Sequence, residues 1–504
     1  MRFKISFFAL ILFFCLACPS GPRQSADEVS FIILQMNDVY EIAPLEGGKA
    51  GGLARVAQVR EELLAENPNV ITVLSGDFLS PSFMGTLKLP NGEKIAGLQM
   101  IETLNALGLD YVTFGNHEFD ISDPDLLQKR IDQSEFEWTV CNALRVKNGE
   151  NEPFTQKGEA IPEYIIREIN SPLGTTLKLG FLGVVLPFNK ADYVHYLPVE
   201  ETFRTTFAKM KNEADLVFGI THLEIEEDLT LAAKVPGIPL FLGGHDHVNM
   251  NRMAGKTRIT KADANAKTVY IHRISHNLQT GKTLISSSLK KIDDTIAEEV
   301  NTKAVVERWQ NSTNTIMKAM GYQPDKVLME TKEVLECKEA FVRTRQTNYG
   351  TLTVKAMEAA WPGADVYLIN SGSMRLDDDI SGVVTEYDVL RTFPFGGSIQ
   401  QIQVQGADLK KILDIGLEKN IGEGGFFQIS KVKKKNNNWQ VNGKPINFSA
   451  SYVVVLPVFL DSYRGDNIEF MKGFKAEKRE NLTMGGTTLR NDIRDIVISY
   501  MQGL

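Results

Sequence analysis

From Val29 onward, two rhythms of apolar residues alternate along the chain. Continuous apolar runs such as "VSFIILQM" (29–36) and "NVITVLSG" (69–76) predict strands buried on both faces. Between them, "GGLARVAQVREELLAEN" (51–67) places Leu53, Val56, Ala57, Val59 and Leu63 on one face of a helix. The alternation continues with a helix in "AGLQMIETLNALG" (96–108) and a strand in "LDYVTFG" (109–115). Further strands are expected at "EWTVCNA" (137–143), "LKLGFLGVV" (177–185), "ADLVFGITH" (214–222) and "IPLFLGGH" (238–245). A βαβ rhythm of this kind implies a sheet covered on both faces by helices. Residues 295–325 read as a linker helix, and a second region with its own helices and strands fills 326–504. The charged stretch "KVKKKNNNWQVNGK" (431–444) reads as a solvated hairpin.

Composition adds the compartment and narrows the partners. With 504 residues, 43% hydrophobic and 23% charged, the chain is long enough for two or more domains of ordinary globular type. A net charge of −8 argues against a nucleic acid polymer, whose backbone needs a basic face. It leaves small phosphorylated ligands open. At the N-terminus, Arg2 and Lys4 precede a short apolar run at 7–17, the pattern of an export signal in residues 1–18. Leu16-Ala17-Cys18 resembles a lipobox, so a lipid anchor on Cys18 and a tether over 19–28 are expected, with the mature protein periplasmic or on the cell surface. Cys141 and Cys337 fall in different predicted domains and read as free thiols.

The candidate chemistry lies just past the strand ends, where open α/β sheets bind ligands. "MND" with Tyr40 after it, "SGDFLS", "FGNHEFD", "THLEIEED" and "GGHDH" together offer Asp38, Tyr40, Asp77, Asn116, His117, Asp120, His222, His245 and His247. Asp, Asn and His in such a mixture suit borderline divalent metals. Three residues separate His117 from Asp120, close enough for the carboxylate to orient the imidazole.

These five segments, in this order, resemble the calcineurin-like metallophosphoesterases, and in particular their 5′-nucleotidase branch. The resemblance implies an α/β chain, α+β overall: a four-layer αββα metallophosphoesterase domain over 29–294, then a smaller α/β substrate-binding domain. It also implies two divalent ions, Zn, Mn or Fe. Asp38 and His247 would bind one, Asp77 would bridge, and Asn116, His222 and His245 would bind the other, with His117 and Asp120 as the catalytic pair. In the second region, "FVRTRQTNYG", "NSGSMR", "TFPFGGS" and "VFLDSYRGD" match the branch's substrate-binding stretches. By that likeness Arg343 and Arg345 would hold phosphate, Arg375 would bind substrate, Phe395 and Phe459 would stack on a base, and Asn370 and Asp466 would bind ribose and base. Arg343 and Arg345 could face one way if their segment is extended. The stretch before Asp466 is one residue longer than usual, so the second ring is Phe459 or Tyr463.

The expected activity is metal-dependent release of phosphate from nucleoside 5′-monophosphates by a hydroxide on two metals, with UDP-sugars and 2′,3′-cyclic nucleotides as further substrates. Tyr40, standing where a second His is expected, makes the alternative a surface lipoprotein that binds nucleotides or a partner with weak or lost catalysis. A relative acting on sulfur oxyanions is a third reading.

Overall fold

The computed structural model describes residues 28–170, 174–188, 191–376, 378–461 and 467–504. The export signal, most of the tether, Cys18, Tyr463 and Asp466 lie outside the described residues.

The first domain is built on two six-stranded sheets. In the first, the order across the sheet is Lys282–Lys291, Thr268–Asn277, Glu28–Met36, Val70–Leu74, Tyr111–Val112 and Glu137–Trp138. The last four run parallel. In the second, it is Met250–Ala254, Thr257–Lys261, Leu240–Gly243, Leu216–His222, Thr176–Val185 and Tyr164–Asn170, with parallel pairing at the centre.

Alternation along Glu28–Met36 explains how the layers stack. Val29, Phe31 and Ile33 point to one face, where they pack with Leu177, Leu179 and Phe181, with Phe218 and Ile220, and with Leu240 and Leu242 of the second sheet. Ile32, Leu34 and Met36 point the other way, into the core with Leu53, Val56 and Val59 of the helix Leu53–Glu66. On Thr176–Val185 the same switch occurs, with Leu182 and Val184 turned toward the core that holds Phe203 and Met210 of the helix Val199–Met210. Each sheet therefore meets helices on one face and the other sheet on the second. The βαβ rhythm alone implied helices on both faces. The four-layer αββα arrangement replaces that, because a strand buried by a sheet is as apolar as one buried by a helix.

The helix Val300–Ala319 packs on the helices Leu53–Glu66 and Leu98–Leu107, where Trp309 Nε1 donates to Glu102 Oε2 at 2.8 Å. The smaller second domain follows. Its five-stranded sheet runs Phe427–Ser430, Val366–Asn370, Ser451–Pro457, Ile399–Gln405, Ala476–Lys478; the helices Asn348–Ala360 and Gly406–Asp414 cover it, and Ile493–Gln502 packs on Asn348–Ala360. Val432–Lys435 and Asn438–Val441 form the charged hairpin. Ion pairs join the domains beside the strand ends, among them Arg391 with Glu41 at 3.4 Å and Lys267 with Asp378 at 2.5 Å. Among the described residues, no helix is long and apolar enough to cross a membrane.

Phe181 is fully buried between the sheets, 4.9 Å from the Tyr111 ring and 5.5 Å from that of Phe218, centroid to centroid. Phe181→Ala is expected to cost about 3–5 kcal/mol in urea unfolding, as for other buried aromatic truncations. A loss under about 1 kcal/mol would show that this interface does not form the core.

Candidate active site

The C-terminal ends of the parallel strands of both sheets converge on one spot. Asp38 follows Glu28–Met36, Asp77 follows Val70–Leu74, and Asn116 follows Tyr111–Val112. His222 ends Leu216–His222, and His245 follows Leu240–Gly243. Buried polar bridges fasten the two sheets here: Ser75 Oγ donates to Leu242 O at 2.8 Å, and Gln35 Nε2 donates to Thr260 O at 2.7 Å.

Backbone conformation aims the donors. Asp38, Asp77, His245 and His247 all have left-handed φ, at 53°, 58°, 83° and 58°. Non-glycine residues in that region cost of order 1–3 kcal/mol each and cluster at functional sites. Gly76 adopts φ 77°, and a Cβ there would lie 2.5 Å from Gly115 N. At Gly115 a Cβ would lie 2.1 Å from Asp77 Oδ1. The glycines of Gly-Asp and Gly-Asn-His-Glu therefore let two turns close onto each other.

The donors fall into two groups sharing Asp77. Ligand atoms of Asp77, His222 and His245 lie within 4.8 Å of one another, and so do those of Asp38, Asp77 and His247. Asn116 Oδ1 joins the first group, 3.2 Å from both His222 Nε2 and His245 Nδ1. Tyr40 joins the second, its hydroxyl 3.1 Å from Asp77 Oδ2 and 3.0 Å from His247 Nε2. His222 Nδ1 lies 2.7 Å from Ser75 O, so it carries the proton and Nε2 faces the cluster.

Electrostatics make the spot a cation site. Asp38 and Asp77 are fully buried, and Asp38 Oδ1 has only His247 Nε2, at 3.4 Å, beside it. Burial alone would raise both carboxyls. His247 overcomes it at Asp38, and His222 and His117 overcome it at Asp77, so both lie below the usual range. His222 feels burial in the opposite sense, yet Asp77 lifts it to about 9. Burial, then the charge of His222, push His245 down to about 3. Burial, then Asp77 and Asp38, push Tyr40 well above its ordinary value. Two buried carboxylates, imidazole nitrogens, an amide oxygen and a phenol form two sets of N and O donors that share Asp77. That donor chemistry fits two divalent ions.

Beside the cluster, His117 Nδ1 lies 2.6 Å from Asp120 Oδ2, and its backbone N–H donates to Asp77 Oδ1 at 2.7 Å. The second domain closes over this pair. Arg375 Nη2 lies 3.3 Å from both ring nitrogens of His117, which places it over the ring face. Asn370, buried, ends the strand Val366–Asn370 and accepts from Ser373 Oγ at 2.8 Å. Phe395, on a loop, and Phe459, in the 3-10 turn Val458–Asp461, are 57% and 51% exposed, and the Val458 N–H to Ser398 O bond of 2.8 Å joins their segments. The Arg343 segment is a helical turn, with Arg343 N–H on Glu339 O and Arg345 N–H on Phe341 O, rather than extended. The two arginines therefore diverge. Arg343 pairs with Glu339 at 2.5 Å, while Arg345 stacks on Phe341 and pairs with Glu336 at 2.6 Å.

Sequence reasoning misses three supporting groups. Glu118, fully buried, accepts the backbone N–H groups of Asp77, Phe78, Leu79 and Gly115 at 2.9, 2.8, 3.1 and 2.6 Å, which fixes the Asp77 turn. Burial, then the Asp77 charge, raise Glu118 to about 7. The buried Lys261 donates to Leu223 O at 2.6 Å and pairs with Asp228 at 2.9 Å and with Asp246, holding the loop between His245 and His247. Asn37 Nδ2 donates to Asp38 Oδ2 at 2.7 Å. Glu118 and Asp246 sit inside the His-bearing motifs, which is their only signal in the sequence.

Comparison with known proteins bears on the two domains. Residues 31–249 match the family model of the calcineurin-like phosphoesterases, and residues 327–473 match that of the 5′-nucleotidase C-terminal domain. The chain is 26% identical to the trifunctional nucleotide phosphoesterase protein YfkN of Bacillus subtilis, over 89% of this chain but only 31% of that one, so it spans about a third of that relative. It is 23% identical to the 5′-nucleotidase of Mus musculus, over 98% of this chain and 89% of the other. The crystal structure of a 5′-nucleotidase precursor from Thermus thermophilus superimposes with a TM-score of 0.74 at 19% identity, covering 94% of this chain and 96% of that one. With the two family matches falling in order on its two domains, the chain belongs to the 5′-nucleotidase family of calcineurin-like phosphoesterases, hydrolases of phosphate esters.

Proposed function

We propose that this protein hydrolyses phosphate esters of nucleotides, nucleoside 5′-monophosphates first among them, with UDP-sugars and 2′,3′-cyclic nucleotides as further candidates. One observation carries the reading: two donor groups share Asp77, and His117 with Asp120 and Arg375 converge beside them. Asp38, Tyr40, Asp77 and His247 would hold one divalent ion, and Asp77, Asn116, His222 and His245 the other. When bound, such a pair supplies Lewis-acid charge and activates water at neutral pH.

The protein's own groups do the rest. His117, oriented by Asp120, gives a hydrogen bond or proton to a phosphoryl or leaving oxygen. Arg375 and Arg343 receive the phosphate, for which a planar guanidinium is well shaped. Arg345 would have to leave Glu336 to take part. Phe395 and Phe459 offer exposed ring faces to a base, with Asn370 and Asp466 for ribose and base. Residues 310–330 would carry a hinge motion that delivers substrate to the cluster. Export and a lipid anchor at Cys18 complete the reading, with no nucleic acid polymer as partner. A second reading, binding without turnover, draws on the Tyr40 hydroxyl, which spans Asp77 and His247.

Purified protein supplied with Mn, Zn or Fe is expected to release phosphate from AMP. His117→Ala should lower kcat by roughly 10²–10⁴ with metal content unchanged. Absence of turnover on every nucleotide and on bis(p-nitrophenyl) phosphate, with each metal, would favour the binding reading. Tyr40→His should shift metal preference toward Zn while activity persists. If Tyr40→Phe alters neither metal content nor rate, Tyr40 is not a ligand.

A further inference from the structure

The ion pairs between the domains form a row of alternating charge. Arg391 Nε, on the helix Glu386–Thr392, donates to Glu41 Oε1 at 3.4 Å, and Arg391 Nη2 lies 3.8 Å from Asp378 Oδ2. Lys267 Nζ donates to the other Asp378 oxygen, Oδ1, at 2.5 Å and lies 3.6 Å from Glu46 Oε1. Glu41, Asp378 and Arg391 are buried, and Lys267 is largely covered. Each domain thus brings one charge of either sign to the two crossings, Glu41 and Lys267 from the first, Asp378 and Arg391 from the second.

Both sides of this row are fastened to the site. In the first domain Glu41 follows Tyr40, whose N–H donates to Asn265 Oδ1 at 3.0 Å. The Asn265 N–H donates to Asp38 O at 2.8 Å, and Lys267 stands just beyond. In the second domain Asp378 follows shortly after Arg375, whose N–H donates to Thr392 O at 2.8 Å, next to Arg391. Arg375 is therefore held between the two residues that cross the interface, and its Nη2 lies 3.3 Å from both ring nitrogens of His117. Buried charges are tolerated only when paired. An alternating row also fixes register, because sliding one domain along the other brings like charges together.

We propose that Glu41, Lys267, Asp378 and Arg391 are positioning residues that act through Arg375: their alternating pairs set the register in which its guanidinium stands over His117 beside the donor cluster. This rests on the reading of the site as a nucleotide phosphohydrolase and adds to it what places the second domain's cation. The four work by holding Arg375 rather than on the substrate. Such holding matters for rate, since a misplacement of about 1 Å can cost about a hundredfold. A hinge motion at 310–330 would break both crossings on opening, and closing would restore them in the same register.

Reversing one charge of the row tests this. Lys267→Glu sets two carboxylates against each other across the interface and is expected to lower kcat/KM on AMP at least about tenfold, with metal content unchanged. Lys267→Arg, which keeps the charge, should stay within about threefold of the wild type. In an Arg375→Gln background Lys267→Glu should cost less than about threefold further, because residues acting as one unit are not additive. No effect of Lys267→Glu, an equal loss in both backgrounds, or a loss accompanied by loss of metal overturns the proposal. If Arg375→Gln alone is too slow to measure, the rise in Tm given by inorganic phosphate takes the place of kcat/KM, with the same outcomes. If Lys267→Glu does not fold, Lys267→Met replaces it. Small-angle X-ray scattering adds a readout free of turnover. Lys267→Glu is expected to show a larger radius of gyration than the wild type and Lys267→Arg the same one, and an unchanged profile in Lys267→Glu overturns the proposal. If the wild type hydrolyses no nucleotide with any metal, the reading of the site fails, and the scattering decides the register on its own.

Discussion

Two carboxylates, Asp38 and Asp77, are fully buried at the seam between the two sheets, and the site is organised around that constraint. Buried negative charge is costly unless paired and hydrogen-bonded. Here every neighbouring element supplies compensation. His222 and His247 approach the carboxylate oxygens at 3.2 and 3.4 Å, and backbone N–H groups of His117 and His245 donate to them at 2.7 and 2.9 Å. Left-handed turns, tolerated only where the surroundings fix them, aim the side chains inward. Glu118 and Lys261 then hold the turns from behind. Such a frame positions the donors through the fold itself, as oriented catalytic groups require.

The second domain answers that negative centre with positive groups. Arg375 covers the His117 ring, and Arg391 and Lys267 make the ion pairs that fasten the domains beside the site. The candidate metal donors thus lie in one domain, and the positive groups that face them come from the other.

Much of this is legible in the chain because its signals are local. Strand ends followed by Asp, Asn or His mark the cluster, since parallel strands of a sheet end on the same side. Continuous apolar runs at Glu28–Met36 and Thr176–Val185 mark strands buried on both faces. Periodicity does not say whether a helix or a sheet covers the second face, because both bury the same residues. The Arg343–Arg345 pair shows the other limit. Spacing of two suits an extended segment, but the segment closes a helical turn, and the side chains part. Glu118 is a single acidic residue whose role depends on groups about 40 positions away, such as Phe78. No periodicity encodes such pairings.

The central claim is that Asp77 belongs to both donor groups. Metal stoichiometry by inductively coupled plasma mass spectrometry tests it on wild-type protein and on Asp77→Asn, each purified, loaded with Mn or Zn and freed of excess metal. The account predicts two ions per chain in the wild type and fewer than one in Asp77→Asn, because losing a shared carboxylate weakens both positions. Wild-type protein that never exceeds one ion, or Asp77→Asn that keeps both, would contradict it.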